Sequence, residues 1–211
     1  MSLLQQTLSE TSAAVSISDT AAGLRHFLEP SCAAAIWRRQ TPPDIQSWLD
    51  DLPPDVLPNG RVVLPADAVG KAVSHLCDMS GLQASPGREW LQNDIVALAE
   101  IFADLMEAPF LRVRLQAVAT NACRKFHVDA LAARLVCTYR GTGTQYGTSV
   151  RDQDPGRVFT VQTGAPILLR GTQWSETPPS GLRHRSPPIE GSGETRLLLV
   201  LDPITDPETE L

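Results

Sequence analysis

A histidine and an aspartate two residues apart, in Phe126-His127-Val128-Asp129, are the residues of this chain best spaced to do chemistry. In an extended strand, side chains at i and i+2 point to the same face. His127 and Asp129 would then offer one imidazole and one carboxylate to a single point. That pair is two thirds of the 2-His-1-carboxylate donor set, which holds non-haem Fe(II) and leaves positions open. His184, within Leu182-Arg183-His184-Arg185-Ser186-Pro187-Pro188, is the expected third donor. Further on, Arg196 opens a run of aliphatic residues, Leu197-Leu198-Leu199-Val200-Leu201, that reads as a central strand buried on both faces. An arginine facing such an interior needs an anionic partner, because an unpaired buried charge is expensive. A small dicarboxylate would supply one bidentately.

The elements that must position these residues change character along the chain. Residues 1–18 are rich in Ser, Thr, Gln and Ala and are expected to be loosely held. A short helix is expected from Thr20 to Leu28, stopped by Pro30. The run Ala33-Ala34-Ala35-Ile36-Trp37 fits a buried strand or a helix, and period alone does not decide between them. Thr41-Pro42-Pro43-Asp44 reads as a helix start with Ile45, Trp48 and Leu49 on one face. Pro53-Pro54 and Pro58-Asn59-Gly60 read as breakers. A helix over 66–78 aligns Val69, Val73, Leu76 and Cys77. The strongest helix is predicted over 86–107, with Ser85 as N-cap, Pro86 in the first position and an apolar stripe from Leu91 to Leu105. At Leu111-Arg112-Val113-Arg114-Leu115 the period changes to strict alternation. Strands are predicted over 110–119, 124–129, 134–140, 157–162, 165–170, 182–186 and 195–202. The glycine-rich Gly141–Gly147 lacks the lysine and following helix of a phosphate loop and reads as a hairpin or lid loop. The expected class is α+β, with N-terminal helices packed on a C-terminal double-stranded β-helix, a cupin-like jelly-roll. The organisation is one domain: a flexible 1–18, a helical support over 19–109 and a metal-binding core over 110–205.

Composition narrows the partners. The net charge is −6, and the 18 Lys and Arg are scattered, so no basic tract is available for nucleic acid or an anionic membrane. The four cysteines, Cys32, Cys77, Cys123 and Cys137, form no C-x-x-C and no disulfide framework, which fits reduced thiols in a cytoplasmic protein. The N-terminus has no basic, then apolar, leader pattern, and no apolar run is long enough to span a bilayer. A monomer or homodimer acting on a small-molecule or protein side-chain substrate is the expectation.

The segment Phe126-His127-Val128-Asp129, with the following Arg134-Leu135-Val136-Cys137-Thr138-Tyr139, resembles the H-x-D strand and its successor in prolyl-hydroxylase-like Fe(II)/2-oxoglutarate oxygenases. Gly164–Leu169, His184-Arg185-Ser186-Pro187-Pro188 and Arg196 resemble the later part of that order. The chain as a whole also resembles a bacterial domain-of-unknown-function family that carries F-H-x-D and H-R-S-P-P in these places. The oxygenase resemblance implies His127, Asp129 and His184 as iron ligands, Arg196 as the anchor of the distal carboxylate of 2-oxoglutarate, and Tyr139 as a second carboxylate contact. Leu198 stands where that superfamily has a small hydroxyl residue. Arg134, Cys137 and Arg185 are expected around the ligands. Cys123, four residues before His127, would suit a zinc site, or else be a buried thiol in a strand. Trp174 is expected over the pocket, and His26 and His75 away from it. The alternative function is a non-catalytic cupin-like protein that binds zinc or iron.

Overall fold

A computed structural model describes residues 14–149, 153–174 and 181–210. Its organising feature is a sheet in the order β1-β2-β8-β5-β10-β4-β3, faced by a smaller sheet in the order β7-β6-β9. The strands are β1 Val15–Ser18, β2 Ala34–Trp37, β3 Gly60–Leu64, β4 Phe110–Val118, β5 Ala133–Arg140, β6 Gln145–Thr148, β7 Phe159–Thr160, β8 Pro166–Arg170, β9 Leu182–Arg185 and β10 Arg196–Ile204. Apart from the parallel pair β1–β2, the described pairings are antiparallel. The chain visits the sheets in turn: β4 and β5 in the large one, β6 and β7 in the small one, then β8, β9 and β10 alternating. The two remain separate sheets and do not close into a barrel.

Helices α1 Pro43–Asp51, α2 Val69–Met79 and α3 Pro86–Met106 cover one face of the large sheet. α3 starts where its cap dictates: Ser85 Oγ accepts from the Arg88 amide at 3.1 Å. It ends on Glu107, whose left-handed φ of 49° turns the chain into β4. Its buried stripe of Leu91, Ile95, Leu98 and Phe102 packs with Leu197, Leu199 and Leu201 of β10 and Leu135 of β5 in one core. The alternate residues of the same strands, Leu198, Val200 and Val136, meet Tyr146 and Leu182 of the small sheet in a second core. Period-2 alternation thus gives the large sheet a helix side and a small-sheet side.

Three expectations change. The front of the chain is not all-helical, since β1, β2 and β3 come from it. The run at 33–37 becomes a strand because β1 and β8 offer ladders on both its edges. Pro58-Asn59-Gly60 is the lead-in to β3, whose Val62 and Val63 pair with β4. The loose hold expected over 1–18 fails at Val15–Ser18, which form β1 at the sheet edge; residues 1–13 lie outside the described residues. The 124–129 segment forms no strand and pairs with the small sheet through a single bridge, His127 to His184. No helix among the described residues is long and apolar enough to cross a membrane.

Candidate metal centre

That one bridge brings two histidines together. His127 and His184 exchange both backbone hydrogen bonds, each at 3.0 Å. Residues directly opposed in an antiparallel pair project to the same face. The two imidazoles accordingly stand with ring centroids 4.5 Å apart. Asp129 follows two residues on, with its carbonyl held by the Thr172 amide at 2.9 Å. Its Oδ1 lies 3.6 Å from His127 Nε2 and its Oδ2 3.1 Å from His184 Nε2. One donor atom from each of the three residues lies within 4.8 Å of the others, and among the described residues no other group of three His, Cys, Asp or Glu converges in this way.

The donor set fits a metal ion on three counts. Asp129 Oδ2 is buried and accepts no hydrogen bond, an arrangement that a cation would satisfy. His127 Nδ1 is 2.9 Å from the Lys125 carbonyl, so this nitrogen carries the proton and Nε2 offers its lone pair to the centre. Ligands at about 2.1 Å on adjacent octahedral positions sit about 3.0 Å from each other, and the Oδ2–Nε2 separation is 3.1 Å. Burial alone would raise the Asp129 carboxyl, but His127, His184 and the Arg134 cation outweigh it and hold it well below the usual carboxylate range. Burial keeps His184 below its ordinary value and hence neutral. His127 is raised, mainly by Asp129, so a metal would displace a proton there.

A family model described as "Protein of unknown function (DUF1826)" matches residues 18–202. The chain belongs to the DUF1826 family. None of the curated proteins compared with it matches. Among solved structures, this DUF1826 chain is similar to the rice dioxygenase for auxin oxidation, with 15% identity over 91% of this chain and 83% of that one and a TM-score of 0.48. It is similar to the Arabidopsis thaliana dioxygenase for auxin oxidation 1 in its 2-oxoglutarate binary complex, with 11% identity over 91% and 92% and a TM-score of 0.49. A Pseudomonas putida prolyl-4-hydroxylase is similar at 15% identity over 70% and 89%, with a TM-score of 0.39. At that level of overlap no residue role passes from them to this chain.

The other expected residues of the DUF1826 chain divide between the two sides of the large sheet. Arg134 is with the triad and donates through Nη1 to Asp129 Oδ1. Arg196, 1% exposed, donates to the Thr142 carbonyl at 2.6 Å and to Thr138 Oγ1 at 3.2 Å. Thr138 lies directly opposite Leu198 across the β5–β10 pair. Tyr139 and Cys137 are not with the triad. Counting along β5, residues 134, 136 and 138 face the small sheet, and 135, 137 and 139 face the helices. The Tyr139 hydroxyl donates to Asp94 at 2.7 Å, and Asp94 is gripped by Arg39 at 2.6 Å through both oxygens. Burial pushes the Cys137 thiol up to about 12, so it has no thiolate to offer a metal. Arg185 points away from its neighbour His184, onto the Phe126 ring and Gln145. Cys123 is exposed and free, neither a ligand with the triad nor a buried thiol. Trp174 packs on Phe27 under Arg170 and does not cover the centre. His26 pairs with Glu29 at the surface, and His75 is exposed.

Two residues escaped the sequence reading. Asp202, 1% exposed, binds Arg134 and is also reached by Arg112 and Arg114 at 3.4 and 3.5 Å. The alternation of Arg112 and Arg114 on β4 was its available signal, since two arginines on one face of a buried strand require an acid. Gly171 is the other. A Cβ there would stand 1.9 Å from the Leu131 carbonyl oxygen and 2.7 Å from that of Asp129. Gly171→Ala is expected to push the 129–131 backbone aside, lowering stability by about 1–3 kcal/mol and weakening metal binding. Gly156→Ala, where the added Cβ meets open space, should change neither. Thermal melts and metal titration of the two variants make the comparison.

Proposed function

We propose that this protein is a mononuclear non-haem Fe(II) oxygenase that uses 2-oxoglutarate and O₂. The observation that carries the reading is the convergence of His127, Asp129 and His184 around the buried, undonated Asp129 Oδ2. Two imidazoles and one carboxylate are the donor set of this iron class, with positions left for an oxo acid and O₂. Arg196 supports the second half of the reading. It is a buried cation whose hydrogen bonds go to a carbonyl and a hydroxyl, and a guanidinium is the group that recognises a carboxylate bidentately. The strand order supports a double-stranded β-helix. The large sheet carries β8-β5-β10-β4, and the small one carries β7-β6-β9 with His127 bridged beyond β9. In this arrangement residues 110–205 form the working core and 19–109 brace it.

Bound iron would supply O₂ activation coupled to decarboxylation of the oxo acid and attack on a substrate C–H bond. The protein's own groups do the rest. His127 and His184, fixed to one another through their backbones, orient the two imidazoles. Asp129 contributes the charge, and Arg196 with Thr138 sets the direction of the dicarboxylate. The substrate is a small molecule or a protein side chain.

The test is anaerobic purification and measurement of bound Fe(II), with and without 2-oxoglutarate, beside His127→Ala. Stoichiometric iron, lost in the variant, with a charge-transfer band on adding 2-oxoglutarate, is the expected result. Metal without the band would leave a metal-binding protein of the cupin-like kind, holding zinc or iron. No metal in either protein would end both readings.

A further inference from the structure

Arg134 stands between two buried carboxylates and treats them differently. Asp202 takes it edge-on, with Nε to Oδ1 at 2.6 Å and Nη2 to Oδ2 at 3.0 Å. A two-point grip of this kind fixes the plane of a guanidinium. The remaining arm, Nη1, reaches Asp129 and bonds Oδ1 alone. The oxygens of Asp129 are thereby made unequal: Oδ1 is occupied by a cation, and Oδ2, facing His184, has no donor. Asp202 is itself held in place, 1% exposed and approached by Arg112 and Arg114 from β4. The hub meets solvent through a cleft of about 680 Å³ that is lined by Asp129, Arg134 and Asp202 but by neither histidine.

We infer that Arg134, locked in plane by Asp202, is a positioning residue that makes Asp129 a one-oxygen ligand and reserves Oδ2 for the metal. The inference rests on the metal centre proposed above. Its chemical consequence is a count of positions. Two imidazole nitrogens and one oxygen occupy three sites of an octahedron, whereas a carboxylate binding through both oxygens would take a fourth. Three open positions accommodate a two-point oxo acid together with O₂, and two do not. A guanidinium on Oδ1 also draws charge from the carboxylate, which leaves the ion more electron-poor.

The experiment uses the whole chain loaded anaerobically with Co(II), an open-shell probe whose visible spectrum reports coordination number. Wild type, Arg134→Gln and Arg134→Lys are compared by competition titration, visible spectrum and melting temperature. Arg134→Gln is expected to weaken Co(II) binding by about 10- to 100-fold and to change the spectrum, because Oδ1 becomes free to bind. Arg134→Lys, which restores the charge without the fork, should recover part of the affinity. Wild-type affinity and spectrum in Arg134→Gln, with only the melting temperature lowered, would overturn the inference and make Arg134 a structural tie. If the Gln variant does not fold, the Lys variant carries the same comparison, and an unaltered spectrum and affinity in it would overturn the inference as well. A wild-type protein that takes up no Co(II) would instead remove the metal centre itself, and this inference with it.

Discussion

Replacing Arg196 with methionine is expected to leave the fold as stable as before, or more so, while weakening 2-oxoglutarate binding about 30-fold or more. The two effects have one origin. Arg196 is buried at the start of β10, and burial holds its pKa down at about 10 although nearby Glu194 works the other way. Glu194 does not bond it, because that carboxylate is taken by the Thr142 amide at 2.7 Å and the Thr142 hydroxyl at 2.9 Å. Among the described residues the guanidinium thus bonds a carbonyl and a hydroxyl but no carboxylate. Exchanging a buried, imperfectly compensated charge for an apolar side chain of similar volume is commonly neutral or stabilising, by about 1–4 kcal/mol. Removing the buried charged anchor of a ligand carboxylate costs about 2–5 kcal/mol of binding, which at its lower end is roughly 30-fold. Urea unfolding and anaerobic calorimetry with 2-oxoglutarate read the two quantities separately. A destabilised variant that binds 2-oxoglutarate as tightly as wild type would show that Arg196 is there only for the strand.

Asp202→Ala should behave in the opposite way and lower stability by about 3–5 kcal/mol. Here the buried group is the shared partner of three guanidiniums: Arg134 through two bonds, Arg112 and Arg114 at longer range. Taking away the carboxylate leaves several cations close together in a poorly solvated place, with Asp129 as the acid still bonded to Arg134. Loss of one partner from a buried ion cluster is far more damaging than loss of the whole cluster. The urea midpoint is the measurement, and a triple change of Asp202, Arg112 and Arg114 to apolar residues should recover part of the loss. An Asp202→Ala variant within about 0.5 kcal/mol of wild type, the range of ordinary surface changes, would mean that the cluster is hydrated and contributes little.

The residues of the candidate site were legible because their types are rare and their spacing has meaning. Histidine occurs four times in the chain, so the H-x-D pair and one further histidine before a buried arginine left few ways to assemble a donor set. Helix α3 was equally legible, since a capped, proline-started stripe of Leu91, Ile95, Leu98 and Phe102 has only one low-energy reading. The alternating residues of β4 and the aliphatic run of β10 were legible for the same local reason, a period that matches one backbone conformation.

Local pattern could not say which neighbour each segment would find. The run at 33–37 is a strand because β1 and β8 border it, and 124–129 is not one because His127 alone pairs its backbone with β9. The oxygenase resemblance put Tyr139 on the dicarboxylate beside Arg196, but the pleat sends it to Asp94 on the helix side. Asp202 lies 68 residues from Arg134, a distance at which a sequence holds no record of a hydrogen bond. The chain by itself determined the donor types, the helix stripe and the buried strands, because each depends on residues within a turn or two of one another. Only the tertiary structure decided which carboxylate oxygen stays open, which arginine holds the other, and which side of β5 faces the centre, because those are set by strand register and by charges that meet only when the sheets are packed.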